Sequence, residues 1–444
     1  MLSEARCREI AESVLAASQA QETEVFIESG RSALTRFANN VIHQNVAEEG
    51  LQVSVRVVRD GRTARATTNK TDKESLQRAA EQALTIARWQ PEDPDLLPML
   101  GPQRYTRVAR VDPKTAELTP QDRALAVRAV VDRAERSSLT AAGIYASSHG
   151  CQALVNSRGL FAYHEETRAE FSLTCMNDGG SGWAKANVVS AGQLAIEELA
   201  ERACQKALAN REPRELPPGR YTVILEPAAV LDLVGFLFYD FAATAVGDQR
   251  SCLTGRIGQR VFGENISLWD DVYHPLQTGT PWDGEGVPRQ KVTLVDHGVV
   301  TSLVYARVTA KKAGREPTGH GMLLPNEYGE APMNLVFVGG NTSLEEMVRS
   351  TECGVLVTRL WYIREVDPYE KILTGMTRDG TFFVAEGRIQ HAVRNLRFNQ
   401  SLIEMLNRVR ALGPAVRAAG EESFEMVVPA MKVADFNFTE VTKY

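Results

Sequence analysis

The side chains that most often perform hydrolytic chemistry are sparse in this sequence. The chain has no HExxH motif for zinc and no GxSxG motif for a serine nucleophile. No two of its histidines are separated by four or five residues, so no helix presents a histidine pair to one metal ion. The seven histidines are His43, His149, His164, His274, His297, His320 and His391. Motifs alone therefore predict no catalytic residue and no metal ligand in this chain.

Two short clusters come nearest to a ligand set. His149 and Cys151 are separated by one residue on a predicted strand and turn, and alternation places both on one strand face, where they could form a zinc ligand pair. An ordinary structural role is the alternative that we favour. His164–Glu165–Glu166 lacks a second histidine, and we expect it to be a solvated strand end.

Two polar clusters in the last quarter of the chain suggest binding rather than catalysis. Thr374–Gly380 reads TGMTRDG, and Arg394–Asn399 reads RNLRFN. They are either a hairpin turn and a strand with satisfied polar groups, or the polar wall of a groove that accepts peptide carbonyls or carboxylates. On the second interpretation, the candidate substrate-binding residues are Arg378, Asp379, Arg394, Arg397 and Asn399. Arg250–Arg260 is glycine-spaced and basic, but it matches neither GxGxxG nor GxxxxGKS, so nucleotide binding is not indicated.

The element expected to organise the chain is an apolar stretch, Leu225–Gly247. Pro227 is placed where a first helical turn tolerates proline, and Gly247 is placed where helices often end. Almost every residue between them is apolar, which predicts one helix buried on most sides. Asp240 interrupts the uncharged run too early for a membrane span. We therefore expect a core helix in a large domain that does not enter a membrane.

Composition bounds the class of protein. The chain has 444 residues, 43% of them hydrophobic, and a net charge of -6, which argues against nucleic acid as a direct partner. The first twenty residues contain early acids and no long apolar core, so they predict a helix rather than a signal peptide. The cysteines are scattered without CxxC, and we expect them to be reduced and mostly buried in a cytoplasmic protein. They are Cys7, Cys151, Cys175, Cys204, Cys252 and Cys353.

Proline-rich stretches divide the chain into three predicted parts. Gln90–Gln103 and Arg211–Arg220 mark the boundaries. Residues 1–103 and 104–213 are each predicted as a smaller helix–strand–helix portion, and 214–444 as a large, mostly antiparallel β domain with the buried core helix. The fold class is therefore α+β. Three local predictions are less regular: Arg36–Asn45 as a strand edge or a loop, Asp379–Gly380 as a turn between two strands, and Asn399–Leu412 as a helix.

Taken together, the longer motifs resemble those of the TldD/PmbA family, and within it the PmbA (TldE) branch. The resemblance runs nearly end to end. It is carried by Thr35–Asn45, Asn156–Ala184, Glu226–Leu237, Arg250–Val261, Pro317–Gly321 (PTGHG), Trp361–Gly387 and Val393–Leu402. It implies a three-part chain, in agreement with the boundaries above. It also implies a heteromeric cytoplasmic metalloprotease that trims unfolded peptides, in which the TldD branch carries HExxxH and a further cysteine ligand near the C-terminus.

At the position that matters for zinc, this sequence departs from the TldD branch. Gly235–Asp240, GFLFYD, stands where the resemblance places HExxxH, and Phe424–Tyr444 contains no cysteine. Zinc requires nitrogen, sulfur or carboxylate donors that converge on one point, and this segment does not supply such a set. We therefore expect no cofactor in this chain and zinc in a TldD-like partner.

Three hypotheses about function remain open at this point. The leading one is a non-catalytic subunit that assembles with a TldD-like zinc peptidase on an unfolded peptide, with a homodimer as a possible state when it is alone. The second is an independent peptide hydrolase with an unrecognised site, for which His320 or the Arg378–Asp379 turn are the best candidates. The third is a binding protein that modulates gyrase or an antitoxin, in keeping with the description of the PmbA branch as a modulator of DNA gyrase.

Overall fold

The structure is a computed structural model that describes residues 1–442. The last two residues of the cysteine-free segment Phe424–Tyr444 lie outside this range. None of the helices in residues 1–442 combines the length and the apolar character needed to cross a membrane.

The first two predicted portions share one six-stranded antiparallel sheet, with strand order β3-β2-β1-β4-β5-β6. Pairing of β1 with β4 joins the strands of the first portion to those of the second. The elements are α1 (Glu4–Ala17), β1 (Glu22–Ala38), β2 (Val41–Arg59), β3 (Arg62–Thr68), α2 (Lys73–Ala87), α3 (Pro113–Ala116), α4 (Pro120–Arg136), β4 (Thr140–Asn156), β5 (Phe161–Met176), β6 (Ser181–Val188) and α5 (Ile196–Ala209). Each portion thus follows the predicted order of helix, strands and helix, while the three-part division itself stays a prediction.

Both helix pairs cover the same face of this sheet. Val25 and Ile27 on β1 pack against α1 and α2, whereas Phe37 on the same strand packs with Phe171 against α4 and α5. These three β1 residues have the same parity, so strand alternation puts them on one face. The opposite face is left to contact the C-terminal part of the chain.

The remaining chain forms a curved, mostly antiparallel sheet. Its order is β10-β9-β8-β11-β17-β15-β13-β12-β7, with β14 on β13 and β16 on β17. Because β7 pairs with both β12 and β17, the path through β12, β13, β15 and β17 closes on itself. The elements are β7 (Gly219–Leu225), α6 (Pro227–Val234), a 3-10 helix (Gly235–Phe241), α7 (Ala243–Gly247), β8 (Leu268–Asp270), β9 (Val292–Asp296), β10 (Val299–Val300), α8 (Arg307–Ala313), β11 (Leu335–Phe337), α9 (Leu344–Arg349), β12 (Cys353–Asp367), β13 (Ile372–Ala385), β14 (Arg388–Ala392), β15 (Leu396–Ser401), α10 (Leu402–Asn407), β16 (Val409–Ala418) and β17 (Met426–Val441).

The predicted core helix is only partly correct. Its first two turns form α6, whose residues 229–234 are all buried. The predicted single helix then breaks into the 3-10 helix and the short α7, and Leu225 belongs to β7. Aromatic residues crowd the 3-10 segment, and their weak helix propensity lets tertiary contacts decide its geometry.

Several other local predictions are wrong or are now settled. Arg36–Asn45 is a β-hairpin whose tip, Asn39–Asn40, has positive φ at both residues, as a tight type I′ turn requires. Asp379–Gly380 is not a turn between strands; it lies inside β13, opposite a register shift in β12. Half of Asn399–Leu412 belongs to β15 and β16, and only α10 between them is helical.

Candidate functional site

The 3-10 segment is positioned by close packing against the loop that precedes β17. A Cβ built on Gly235 would lie 2.0 Å from Ser423 Oγ and 2.7 Å from Ser423 Cβ. Real Cβ atoms do not approach other atoms so closely, so only glycine fits at position 235 with this loop in place. The Ser423 side chain therefore occupies the space that a side chain at position 235 would need.

The other end of the segment is held by an ion triad in which Lys371 and Asp240 are buried and Glu365 is exposed. Lys371 Nζ lies 2.5 Å from Asp240 Oδ2 and 2.7 Å from Glu365 Oε1. Asp240 Oδ1 also accepts the backbone N–H of Cys252 at 2.9 Å. Burial opposes the Lys371 charge, but Asp240 and Glu365 outweigh it and raise the lysine pKa. An ammonium group thus neutralises the one carboxylate that the GFLFYD segment supplies.

These groups border a cleft of about 560 Å³ that is both aromatic and acidic. Phe238 and Phe424 meet edge to face, with ring centroids 5.4 Å apart. The lining residues are Gly235, Phe236, Phe238, Tyr239, Asp240, Arg250, Glu365, Pro368, Lys371, Glu421, Glu422, Ser423 and Phe424. Tyr239 is half-buried at this cleft.

The loop over the cleft is hydrogen-bonded to a buried carboxylate on α6. Asp232 is fully buried, and its Oδ1 accepts the backbone N–H of Glu422 at 3.2 Å. Its Oδ2 has no hydrogen-bond partner among the described residues. Burial raises the pKa of Asp232 to about 7. The Glu422 carboxylate in turn accepts the backbone N–H of Tyr362 at 2.8 Å, so the loop is tied to both α6 and β12.

The donor set of this site does not fit zinc. Asp240 is the only metal-binding side chain in Gly235–Asp240, and Lys371 and a backbone N–H already occupy its oxygens. Across residues 1–442, no group of three or more His, Cys, Asp or Glu side chains could hold a metal ion. No step of a reaction is therefore assigned to a metal in this chain.

The five predicted substrate-binding residues are only partly brought together. Arg378 on β13 and Arg397 and Asn399 on β15 share the outward face of two paired strands. The Arg378 guanidinium carbon lies 4.6 Å from the centre of the Trp361 ring. Arg394 precedes β15 and pairs with Glu215 at 3.1 Å. The cleft lining, all within residues 1–442, includes none of the five.

Asp379 differs from the other four because it is buried and bonded. Its carboxylate accepts Arg359 Nε at 2.6 Å and Ser181 Oγ at 2.5 Å. Ser181 begins β6, so this contact connects the first sheet to the second. The Arg359 guanidinium also lies 5.0 Å from the centre of the Trp183 ring. The Asp379 carboxylate is thus engaged in domain contacts and is not free to face a peptide.

The histidines singled out in the sequence have structural surroundings. His320 is fully buried, with Nε2 2.8 Å from Asp270 and Nδ1 2.9 Å from Thr318 Oγ1. A side chain so enclosed has no route to a substrate. His164 is buried within β5 beside Glu166, so the predicted solvated strand end is wrong. Burial opposes the Glu166 charge, but His164, Arg168 and the Gly279 N–H lower its pKa to about 2.

Sequence reasoning missed Lys371, Ser423 and Glu422, which build the cleft. They lie more than a hundred residues from the GFLFYD segment, and nothing in the sequence shows that they contact it, although Lys371 falls within the motif Trp361–Gly387. The mixed acidic and aromatic character of Glu421–Phe424 was the one available signal.

Three family models together match most of the chain. They are described as PmbA/TldA metallopeptidase domain 1, central domain and C-terminal domain, and they match residues 23–87, 112–211 and 218–440. The last of these alone spans half of the sequence.

The chain belongs to the PmbA/TldD family.

Curated PmbA/TldD relatives are distant but extensive matches. "Metalloprotease PmbA" of Escherichia coli O157:H7 is 23% identical over 436 residues, which cover 94% of this chain and 92% of that protein. A protein named "Metalloprotease" from Methanothermobacter thermautotrophicus is 26% identical over 297 residues, and the match covers 62% of each chain. The match to that archaeal relative thus spans about three fifths of its length.

Solved structures show the same fold. TldE from Thermococcus kodakarensis aligns with a TM-score of 0.89 at 20% identity, covering 98% of this chain and all of that one. The predicted α+β fold class and the predicted PmbA/TldE resemblance are therefore confirmed.

Proposed function

We propose that this chain is a PmbA/TldE-type subunit of a cytoplasmic two-protein peptidase. A TldD-like homologue supplies the zinc and the hydrolysis, and this chain shapes the path of an unfolded peptide. Family membership supports the peptidase system, because every matching family model is described as a metallopeptidase domain.

One observation carries the non-catalytic role. At the segment where the TldD branch is expected to bear HExxxH, Gly235 is packed against Ser423 and Asp240 is neutralised by Lys371. Amide hydrolysis by a metallopeptidase needs a metal that activates water and polarises the carbonyl. In this segment the residues serve packing and charge neutralisation. The proposal therefore assigns the metal and the amide hydrolysis to a partner.

The peptide path in this proposal runs along the outward face of β13 and β15. Arg378 and Arg397 are each about two-fifths exposed, and Asn399 is exposed beside them. Exposed guanidinium groups on a strand surface suit peptide carbonyls and carboxylates. Arg394 lies just before β15, at the start of this face. Asp379 does not face the peptide in this proposal; its carboxylate accepts a hydrogen bond from Arg359 and so helps to hold the strand in place.

The test is cleavage of an unfolded peptide by each protein alone and by the two together. We expect turnover only in the mixture and its loss on addition of a chelator. Arg378→Ala and Arg397→Ala should lower turnover without changing complex size in light scattering. Arg410→Ala, an exposed arginine on β16, is the matched control and should leave turnover unchanged. Full activity of the partner alone, unaffected by this chain, would refute the proposal.

A further inference from the structure

Four of the six scattered cysteines come together in two pairs. Cys175 Sγ on β5 lies 3.3 Å from Cys204 Sγ on α5. The Cys7 side chain on α1 and the Cys151 side chain on β4 pack in one buried cluster, where Cys151 Sγ also donates to the Leu2 carbonyl oxygen at 3.2 Å. Each pair joins a covering helix to the same face of the six-stranded sheet, one pair in each half. Because the same arrangement occurs twice, the paired thiols are candidates for a chemical role beyond filling the core.

The surroundings of each pair favour one thiolate. A hydrogen bond from Cys7 outweighs burial and lowers the pKa of the Cys151 thiol to about 7, with smaller contributions from Tyr163 and the N-terminal amino group. A hydrogen bond from Cys175 and the charge of Arg133 lower the pKa of Cys204. In both pairs the second thiol is held protonated beside the first, its pKa raised mainly by that hydrogen bond. A thiolate next to a second thiol is the arrangement found in redox-active dithiols.

Both pairs are enclosed beneath their covering helices, because all four side chains are buried. Cys151 pairs with Ser29 and so lies on the helix-covered face, whereas the cleft of about 660 Å³ that it borders opens toward Gly279–Thr280 on the other face. Reaction of either pair therefore requires local opening, of α1 for Cys7–Cys151 and of α5 for Cys175–Cys204. The α5 helix begins without a side-chain cap, whereas Ser3 caps α1.

We propose that Cys7–Cys151 and Cys175–Cys204 are two sites of reversible disulfide formation, oxidised by a small-molecule disulfide such as oxidised glutathione. The Cys151 thiolate attacks one sulfur of the reagent, which breaks its S–S bond and releases one glutathione thiolate. Cys7 then attacks Cys151 Sγ, forms the protein disulfide and releases the second glutathione. The two cysteine protons end on the two glutathione thiols, and the reagent takes up the two electrons. The same exchange joins Cys204 to Cys175.

The remaining cysteines are internal controls. Cys252 is buried beside Asp240 and Lys371, and Cys353 is exposed beside Tyr221. Neither is expected to join an intramolecular disulfide.

The experiment counts thiols in the full-length chain. Reduced protein is incubated with oxidised glutathione at pH 8, denatured in N-ethylmaleimide and weighed by intact mass spectrometry. We expect the number of alkylated cysteines to fall from six to two, and a non-reducing peptide map to show the two proposed bonds. Dithiothreitol should restore all six. An unchanged count, or bonds through Cys252 or Cys353, would overturn the proposal, and a count of four would overturn it for the pair that the map finds reduced.

Variants and temperature give an independent measurement. Cys204→Ser treated in the same way should retain three alkylated cysteines, whereas the control Cys353→Ser should retain one. Oxidised wild-type protein should melt several degrees above the reduced protein, because each bond closes a loop of the unfolded chain. Equal melting temperatures would contradict the proposed bonds. The wild-type peptide map decides the question even if a variant does not fold.

Discussion

Replacing Gly235 with alanine tests whether the contact between Gly235 and Ser423 leaves room for a side chain at position 235. The added Cβ would meet Ser423 Oγ at 2.0 Å and Ser423 Cβ at 2.7 Å. Rotation of the serine hydroxyl relieves the first contact but not the second, so the loop before β17 must move. We therefore expect Gly235→Ala to displace the loop that closes the cleft.

The magnitude follows from two opposing effects. Overpacking a buried position costs about 1–3 kcal/mol. Replacing glycine by alanine restricts the unfolded chain and stabilises by about 0.4–1 kcal/mol where the backbone permits it. The net expectation for Gly235→Ala is a loss of about 1–2 kcal/mol. Gly247 is the matched control, because it ends α7 with no atom within 4 Å of a built Cβ. Gly247→Ala should therefore be neutral or slightly stabilising.

Urea unfolding followed by tryptophan fluorescence measures the stability of both variants. Hydrogen exchange measures the loop itself, since the Glu422 amide is held by Asp232. Gly235→Ala should accelerate exchange in peptides that cover residues 420–425, and Gly247→Ala should not. Adding Ser423→Gly removes the clashing side chain and should recover most of the lost stability.

The result that would refute this reasoning is equal behaviour of the two alanine variants. If Gly235→Ala costs less than about 0.5 kcal/mol, within the range of ordinary surface changes, the approach of Ser423 does not restrict position 235. A histidine could then be accommodated there. Failure of Ser423→Gly to compensate would place the strain elsewhere in the 3-10 segment.

The remaining predictions concern charge and metal content. Lys371→Met leaves Asp240 and Glu365 facing each other without their cation, and should cost about 3–5 kcal/mol in urea unfolding, far more than Lys311→Met on exposed α8. The raised pKa of Asp232, about 7, means that the folded state binds its proton more tightly than the unfolded state. Its contribution to stability is therefore lost as pH rises from about 4 to 7, by on the order of 4 kcal/mol. Asp232→Asn should flatten the dependence of melting temperature on pH across that same range, and parallel curves for the two proteins would contradict this. Elemental analysis of the purified chain should find no stoichiometric zinc, and one tightly bound zinc per chain in the C-terminal part would overturn that expectation.

Hydrophobic patterns in the sequence correctly predicted those helices and strands whose own side chains determine where they are buried. The apolar run after Pro227 is buried as predicted, because its residues have no alternative to the core. The amphipathic helices beside the first sheet follow their 3.6-residue periodicity, and the family resemblance follows from long motifs rather than from single residues. The same patterns could not show that the first two portions share a sheet, since that depends on pairing of β1 with β4 across the intervening helices.

What the sequence determined by itself is the inventory of chemistry: there is no HExxxH in the chain, one carboxylate in GFLFYD, six cysteines without CxxC, and the motifs of a peptidase family. The tertiary structure alone decided how these groups are used. It placed Ser423 against Gly235, Lys371 against Asp240 and Cys204 against Cys175. Propensity and periodicity act over a few residues, whereas desolvation and close contact act between surfaces that only folding brings together. A carboxylate therefore becomes half of an ion pair, and a scattered thiol half of a dithiol, only in the folded chain.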